Sequence, residues 1–174
     1  MNTPNKLTML RVALIPVFLV VLYLGFRGSA YVAAAIFVLA SLTDFADGYI
    51  ARSRGLVTDF GKFMDPLADK VLVFAAMLWF TAHGELEAWA VLLVLARELA
   101  VTGLRLVAAG ETRVIAAAKS GKIKTASTMV CLTAMFFGLP RWANLLCTAI
   151  IAVTTLWSGV EYFIKNRDVL HWDK

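Results

Sequence analysis

Residues 44–69 read DFADGYIARSRGLVTDFGKFMDPLAD, and the rest of the chain has to accommodate what they demand. They set Asp44, Asp47, Asp65 and Asp69 inside a protein that is 60% apolar. As a pattern the stretch is D-x-x-D-G-x-x-A-R, eight residues, then G-x-x-x-D-x-x-x-D. An acid within a membrane segment costs about 2.5–3.5 kcal/mol on insertion scales, so four unpaired acids would cost roughly 10–14 kcal/mol. The net stability of a whole protein is only about 5–15 kcal/mol. Something cationic must therefore sit among them.

The surroundings of that stretch define the class. The chain has 174 residues and a mean hydropathy of +0.76, and its apolar share exceeds the roughly 45–50% of soluble proteins. Apolar stretches recur at intervals of roughly 20–30 residues, each near the length a bilayer core requires. The expected fold is all-α, a polytopic integral membrane protein with six transmembrane helices in a single membrane-embedded domain over residues 1–174. A soluble helical core is the alternative, and it lacks the polar faces needed to cover it. The spans are expected at residues 10–26, 29–52, 59–82, 86–109, 119–138 and 142–164. Residues 2–11 read as an interfacial approach, 53–58 as a turn, 110–118 as a basic loop and 165–174 as a polar tail. Pro16 is tolerable in the first span because neighbouring helices can satisfy the freed carbonyl. Thr58 or Asp59 is a candidate N-cap for the third.

Six spans put both ends on one side. Of the 17 Lys and Arg, Arg27 and Arg141 fall on the far side and Lys70 and Arg97 lie within spans, leaving 13 at the amino end, the 2–3 turn, the 4–5 region and the tail. By the positive-inside rule both termini are cytoplasmic. The net charge of +5 is thus explained by location, with no nucleic-acid partner implied. Residues 1–24 lack a small-residue cleavage site and read as an uncleaved first span. With no Arg/Ser-rich transit peptide, a bacterial plasma membrane is expected. Cys131 and Cys147 lie in apolar stretches and behave as small hydrophobes; no CxxC or His/Cys metal spacing occurs.

Helical geometry lets the acids converge. Asp44 and Asp47 (i, i+3) share a face of the second span, and Asp65 and Asp69 (i, i+4) share a face of the third. In an antiparallel hairpin turning near residue 56, Asp44 matches Asp69 in depth and Asp47 matches Asp65. Asp44 then lies eight residues, or about 12 Å, from the helix end at Arg52. Four oxygen donors at one point suit hard divalent cations, Mg²⁺ or Mn²⁺, and two ions about 3.5–4 Å apart are the arrangement used for in-line phosphoryl transfer. An inert network with Arg52, Arg54, Lys62 and Lys70 is the bland alternative, but those side chains can snorkel to water.

The pattern resembles the signature of the CDP-alcohol phosphotransferase family, through Asp44, Asp47, Gly48, Ala51, Arg52, Gly61, Asp65 and Asp69 at matching spacing. The resemblance implies a six-helix homodimer among membrane lipids, with two divalent cations in a site open to the cytoplasm. It implies a reaction in which an alcohol displaces CMP from a CDP-linked donor. Asp44, Asp47, Asp65 and Asp69 resemble the metal ligands, Asp69 also the base for the acceptor hydroxyl, and Gly48, Arg52 and Gly61 the residues that bind the cytidine diphosphate.

The second half bears on the acceptor. Arg97-Glu98 lies mid-span with Arg105 two turns on, and the fifth span opens with Lys119-Ser-Gly-Lys122-Ile-Lys124-Thr125. Guanidinium and ammonium groups at the mouth of a bundle suit an anionic alcohol. With Pro4-Asn5-x-Leu7-Thr8-x-x-Arg11 at the amino end, these runs resemble the branch of the family that joins sn-glycerol 3-phosphate to CDP-diacylglycerol. The phosphate of glycerol 3-phosphate is then expected on Arg105, Lys122 and Lys124, with Asn5, Thr8 and Arg11 helping to hold the donor. Relatives using inositol phosphate, serine or phosphatidylglycerol would carry the same acidic motif. A divalent-cation transporter would distribute its acids along a path instead of gathering them at one depth.

Overall fold

Every regular element among the described residues is helical: α1 (Thr3–Leu24), α2 (Ser29–Arg54), α3 (Asp59–Ala82), α4 (Ala88–Gly110), α5 (Lys119–Met135) and α6 (Arg141–Lys165), followed by a 3₁₀ turn at Arg167–Val169. The structure is a computed structural model describing residues 3–54, 59–110, 115 and 118–169, with side chains described for 9–43, 64, 67–110, 115 and 118–169. The helix breaks fall where the chemistry disfavours continuation. Gly84 (φ 71°) follows α3 and Gly138 (φ 68°) follows α5, both in the left-handed conformation that ends helices. Pro140, with extended backbone, then caps α6.

The chain divides into two compact units, Met1–Trp79 with Phe136–Gly138, and Phe80–Met135 with Leu139–Lys174. In the first, α1 packs along α2. Phe18, Phe37 and Phe136 form its aromatic centre, with ring centroids 5.9–6.2 Å apart and the Phe18–Phe136 pair edge to face. Tyr23 meets Trp79 at 5.2 Å, and Tyr31 meets Phe137 at 5.6 Å. Arg11 is only 2% exposed, and its Nε donates to the Ala40 carbonyl at 3.3 Å, fastening α1 to α2.

In the second unit α6 packs against both α4 and α5. Its buried stripe is Asn144, Thr148, Ile151, Ala152, Thr155, Ser158 and Tyr162, which is mostly small and polar. Its opposite face exposes Leu145, Leu146, Val153, Leu156, Trp157, Val160 and Ile164. A water-soluble helix has the reverse pattern. Close-packed small residues with interhelical hydroxyl bonds are how helices associate in lipid. Ser127 and Thr154 supply one such bond at 3.1 Å. Among the described residues α6 alone is at once long and apolar enough to cross a membrane, while the apolar stretches 9–24 and 29–43 are shorter. Arg97, Glu98 and Arg105 load α4 with charge, and α5 has only 17 residues.

Two boundaries differ from the sequence reading. Residues 3–11 are continuous with α1 rather than a separate approach, since Pro4 sits in the first turn where its missing N–H is no loss. The tail is not wholly polar surface: α6 runs through Lys165, and Val169 is 2% exposed against Val101, Leu104, Ala108 and Tyr162. The apolar end of α4 gives that valine a place out of water.

Candidate functional site

Asp44 and Asp47 lie toward the carboxyl end of α2, and Asp65 and Asp69 in the first half of α3. Both pairs thus keep the i, i+3 and i, i+4 spacing on continuous helix that places each pair on one face. The side chains of Asp44, Asp47, Asp65, Gly48, Arg52, Gly61, Asn5 and Thr8 lie outside the described residues. Asp69 is half-buried beside Ala68 and one turn before the buried Leu72, and it is engaged in a polar interaction. Upstream of the first acid, Ser41 Oγ donates to the Phe37 carbonyl at 2.8 Å and Thr43 Oγ1 to the Ala40 carbonyl at 3.1 Å. Successive back-bonds of this kind bend a helix slightly. No group of three or more metal-ligating side chains occurs among the described residues, and three of the four acids lie beyond them.

A second polar centre lies within the α4–α5–α6 unit. Arg97 Nη1 donates to Glu98 Oε1 at 2.9 Å, and its Nη2 donates to Ser158 Oγ at 2.5 Å. Lys124, 5% exposed, donates from Nζ to the same Glu98 oxygen at 2.9 Å. One carboxylate thus gathers a guanidinium from its own helix and an ammonium from α5. Room for Arg97 comes from two glycines: a Cβ on Gly159 would stand 3.4 Å from Arg97 Cγ, and one on Gly121 would stand 3.4 Å from its Nη2. The α5 backbone is tied in by Ser127 Oγ and Thr128 Oγ1, which donate to the Lys124 carbonyl at 2.9 and 2.8 Å.

The three residues assigned to the acceptor phosphate therefore separate. Lys124 is committed to Glu98 inside the unit. Lys122 is exposed. Arg105 is exposed as well; its Nε donates to the Tyr162 hydroxyl at 2.8 Å, and its guanidinium carbon stands 5.5 Å from the Tyr162 ring centroid. Arg97 and Arg105 are eight residues apart on α4, about 12 Å. The centre of Arg97, Glu98 and Lys124 carries a net positive charge inside the unit, while Lys122 on α5 and Arg105 on α4 are each exposed cations. Exposed cations attract anions. Ser158 and Tyr162 went unread in the sequence. Their signal was the α6 stripe 144, 148, 151, 155, 158, 162, a helical period of polar and small residues.

Comparison with known proteins gives the family. A family model described as CDP-alcohol phosphatidyltransferase matches residues 1–158. Curated relatives bear the name CDP-diacylglycerol–glycerol-3-phosphate 3-phosphatidyltransferase. One from Bacillus subtilis is 43% identical over 97% of each chain. One from Salmonella paratyphi A is 40% identical and one from Escherichia coli K12 is 39% identical, each over 95% of both chains. The matched region encloses the whole acidic motif and the Arg97–Glu98–Lys124 centre, and the chain belongs to the CDP-alcohol phosphatidyltransferase family.

Proposed function

We propose that the protein transfers the phosphatidyl group of CDP-diacylglycerol to sn-glycerol 3-phosphate, giving phosphatidylglycerophosphate and CMP. The observation that carries the acceptor is identity of about 40% across nearly the full length of both chains with relatives named for that reaction. The exposure of Arg105 and of Lys122 leaves two cations accessible to an acceptor that carries a phosphate.

In this reading the acceptor hydroxyl oxygen bonds to the lipid-bearing phosphorus, the bond from that phosphorus to CMP breaks, and the hydroxyl proton passes to Asp69. A partly enclosed carboxylate within reach of that hydroxyl is a competent base. Asp44, Asp47, Asp65 and Asp69 form an all-carboxylate donor set of the kind that hard cations prefer, and they would hold two Mg²⁺ or Mn²⁺ ions. Such ions, when bound, neutralise charge on the transferring phosphoryl group. Gly48, Arg52 and Gly61, with Asn5 and Thr8 from the first helix, hold the cytidine diphosphate. Arg105 and Lys122 receive the acceptor phosphate, and Lys124 serves them by fixing Glu98 and Arg97.

The chain sits in a bacterial plasma membrane as one catalytic domain of six spans, with both termini and the site on the cytoplasmic side, and works as a homodimer. The inverted burial of α6, polar inside and apolar outside, supports the membrane setting.

The test is CMP release by purified protein in detergent with CDP-diacylglycerol and Mg²⁺ or Mn²⁺. Glycerol 3-phosphate, inositol phosphate, serine and phosphatidylglycerol are offered one at a time. Release is expected with glycerol 3-phosphate alone, is lost in EDTA, and is lost in Asp69→Asn while metal-dependent binding of the lipid donor persists. Release with another alcohol would overturn the acceptor, and near-normal turnover by Asp69→Asn would overturn the base.

A further inference from the structure

Arg105 is held in a way that the proposed chemistry does not by itself require. Its Nε is tied to the Tyr162 hydroxyl, its plane lies within cation–π reach of the same ring, and its terminal nitrogens have no hydrogen-bond partner among the described residues. A guanidinium fastened at Nε presents its outer nitrogens as a planar fork, which matches two oxygens of a phosphate. Fastening it beforehand spares the ordering of a long side chain when ligand binds.

Tyr162 is fixed in turn. It is 1% exposed in a cluster with Val101, Leu104, Ala108 and Val169, against which Ile115 and Ala118 pack. Asn166 Nδ2 donates to the Tyr162 carbonyl at 2.7 Å, holding the chain as it leaves α6. Tyr162, Asn166 and Val169 all lie beyond residue 158, where the family-wide match ends.

We infer that Tyr162, seated against α4 by Val169, is a positioning residue that pre-orients Arg105 toward the acceptor phosphate. The segment following residue 158 thereby becomes a determinant of acceptor recognition. This rests on the reading of Arg105 as a receiver of that phosphate.

The experiment is steady-state kinetics of the full-length chain in detergent. Tyr162→Phe keeps the ring and its packing and removes only the hydroxyl. The KM for glycerol 3-phosphate is expected to rise about two- to tenfold, the range of a single net hydrogen bond. The kcat, the KM for CDP-diacylglycerol and the unfolding midpoint are expected to hold. In an Arg105→Lys background the same change should add less than about twofold, because lysine has no Nε–H for the hydroxyl to accept. If Tyr162→Phe moves kcat and both KM values together, or shifts only the midpoint, the tyrosine is merely structural and the inference is overturned. If Arg105→Ala raises the acceptor KM while Tyr162→Phe leaves it unchanged, the inference alone fails. If Arg105→Ala leaves that KM unchanged, the reading of Arg105 fails and carries the inference with it.

Discussion

Two residues separate Lys122 from Lys124 on α5, which turns them about 200° apart around the helix axis. Lys124 falls in phase with Ser120, Thr128 and Leu132 on the buried face, while Lys122 is exposed. Their substitutions should therefore part company. Lys122→Ala is expected to raise the KM for glycerol 3-phosphate about three- to tenfold, on the scale of a charge-assisted hydrogen bond, with the unfolding midpoint unmoved. Lys124→Ala leaves Glu98 with one cation fewer inside the unit, a loss of about 1–3 kcal/mol. For a chain of this length that is a midpoint drop of roughly 2–10 °C, with activity falling alongside. Thermal unfolding in detergent, read beside the kinetics, checks both outcomes. Equal midpoint losses in the two variants would show that both lysines are structural.

At the scale of the helix, α6 packs against both α4 and α5, and at Gly159 it lies close against Arg97 of α4. Gly159→Ala brings a methyl to ordinary contact distance from Arg97, and its stability should change by no more than about 1 kcal/mol. Gly159→Leu cannot fit without moving Arg97 from Ser158 and Glu98. It should lose about 1–3 kcal/mol by overpacking and most of the turnover, both measurable on one preparation. The number of helices and most of their ends were legible in the sequence, because each apolar stretch stops at a charge, a glycine or a proline: Arg27-Gly28, His83-Gly84 and Gly138-Leu139-Pro140. The pairing within the second polar centre was not. Which of Lys119, Lys122 and Lys124 turns inward depends on how α5 is rotated against α4, and the basic run allowed any of them. The burial of Val169 was hidden for a similar reason: one valine in a polar tail says nothing until the end of α4 is there to receive it. The acidic motif differs: i, i+3 and i, i+4 put Asp44 with Asp47 and Asp65 with Asp69 on a shared face of any helix. Helices α2 and α3 run through these positions, while the side chains of Asp44, Asp47 and Asp65 lie outside the described residues.

For the molecule as a whole, the distribution of charge and the exposed apolar faces of all six helices make orientation the property to measure. In a background lacking Cys131 and Cys147, Arg27→Cys and Glu87→Cys should react with a membrane-impermeant thiol reagent in intact cells. Asp173→Cys should react only after permeabilisation, and the opposite pattern would invert the topology. The packing of Phe136 onto Phe18 and Phe37 has a consequence in time. The ribosome delivers the chain from its amino end, at about 5–20 residues per second. Phe136 therefore arrives roughly 5–20 s after Phe37 at that pace. Throughout that interval the nascent first unit waits with its aromatic centre open, and it closes only when the far side of the fifth helix has been made.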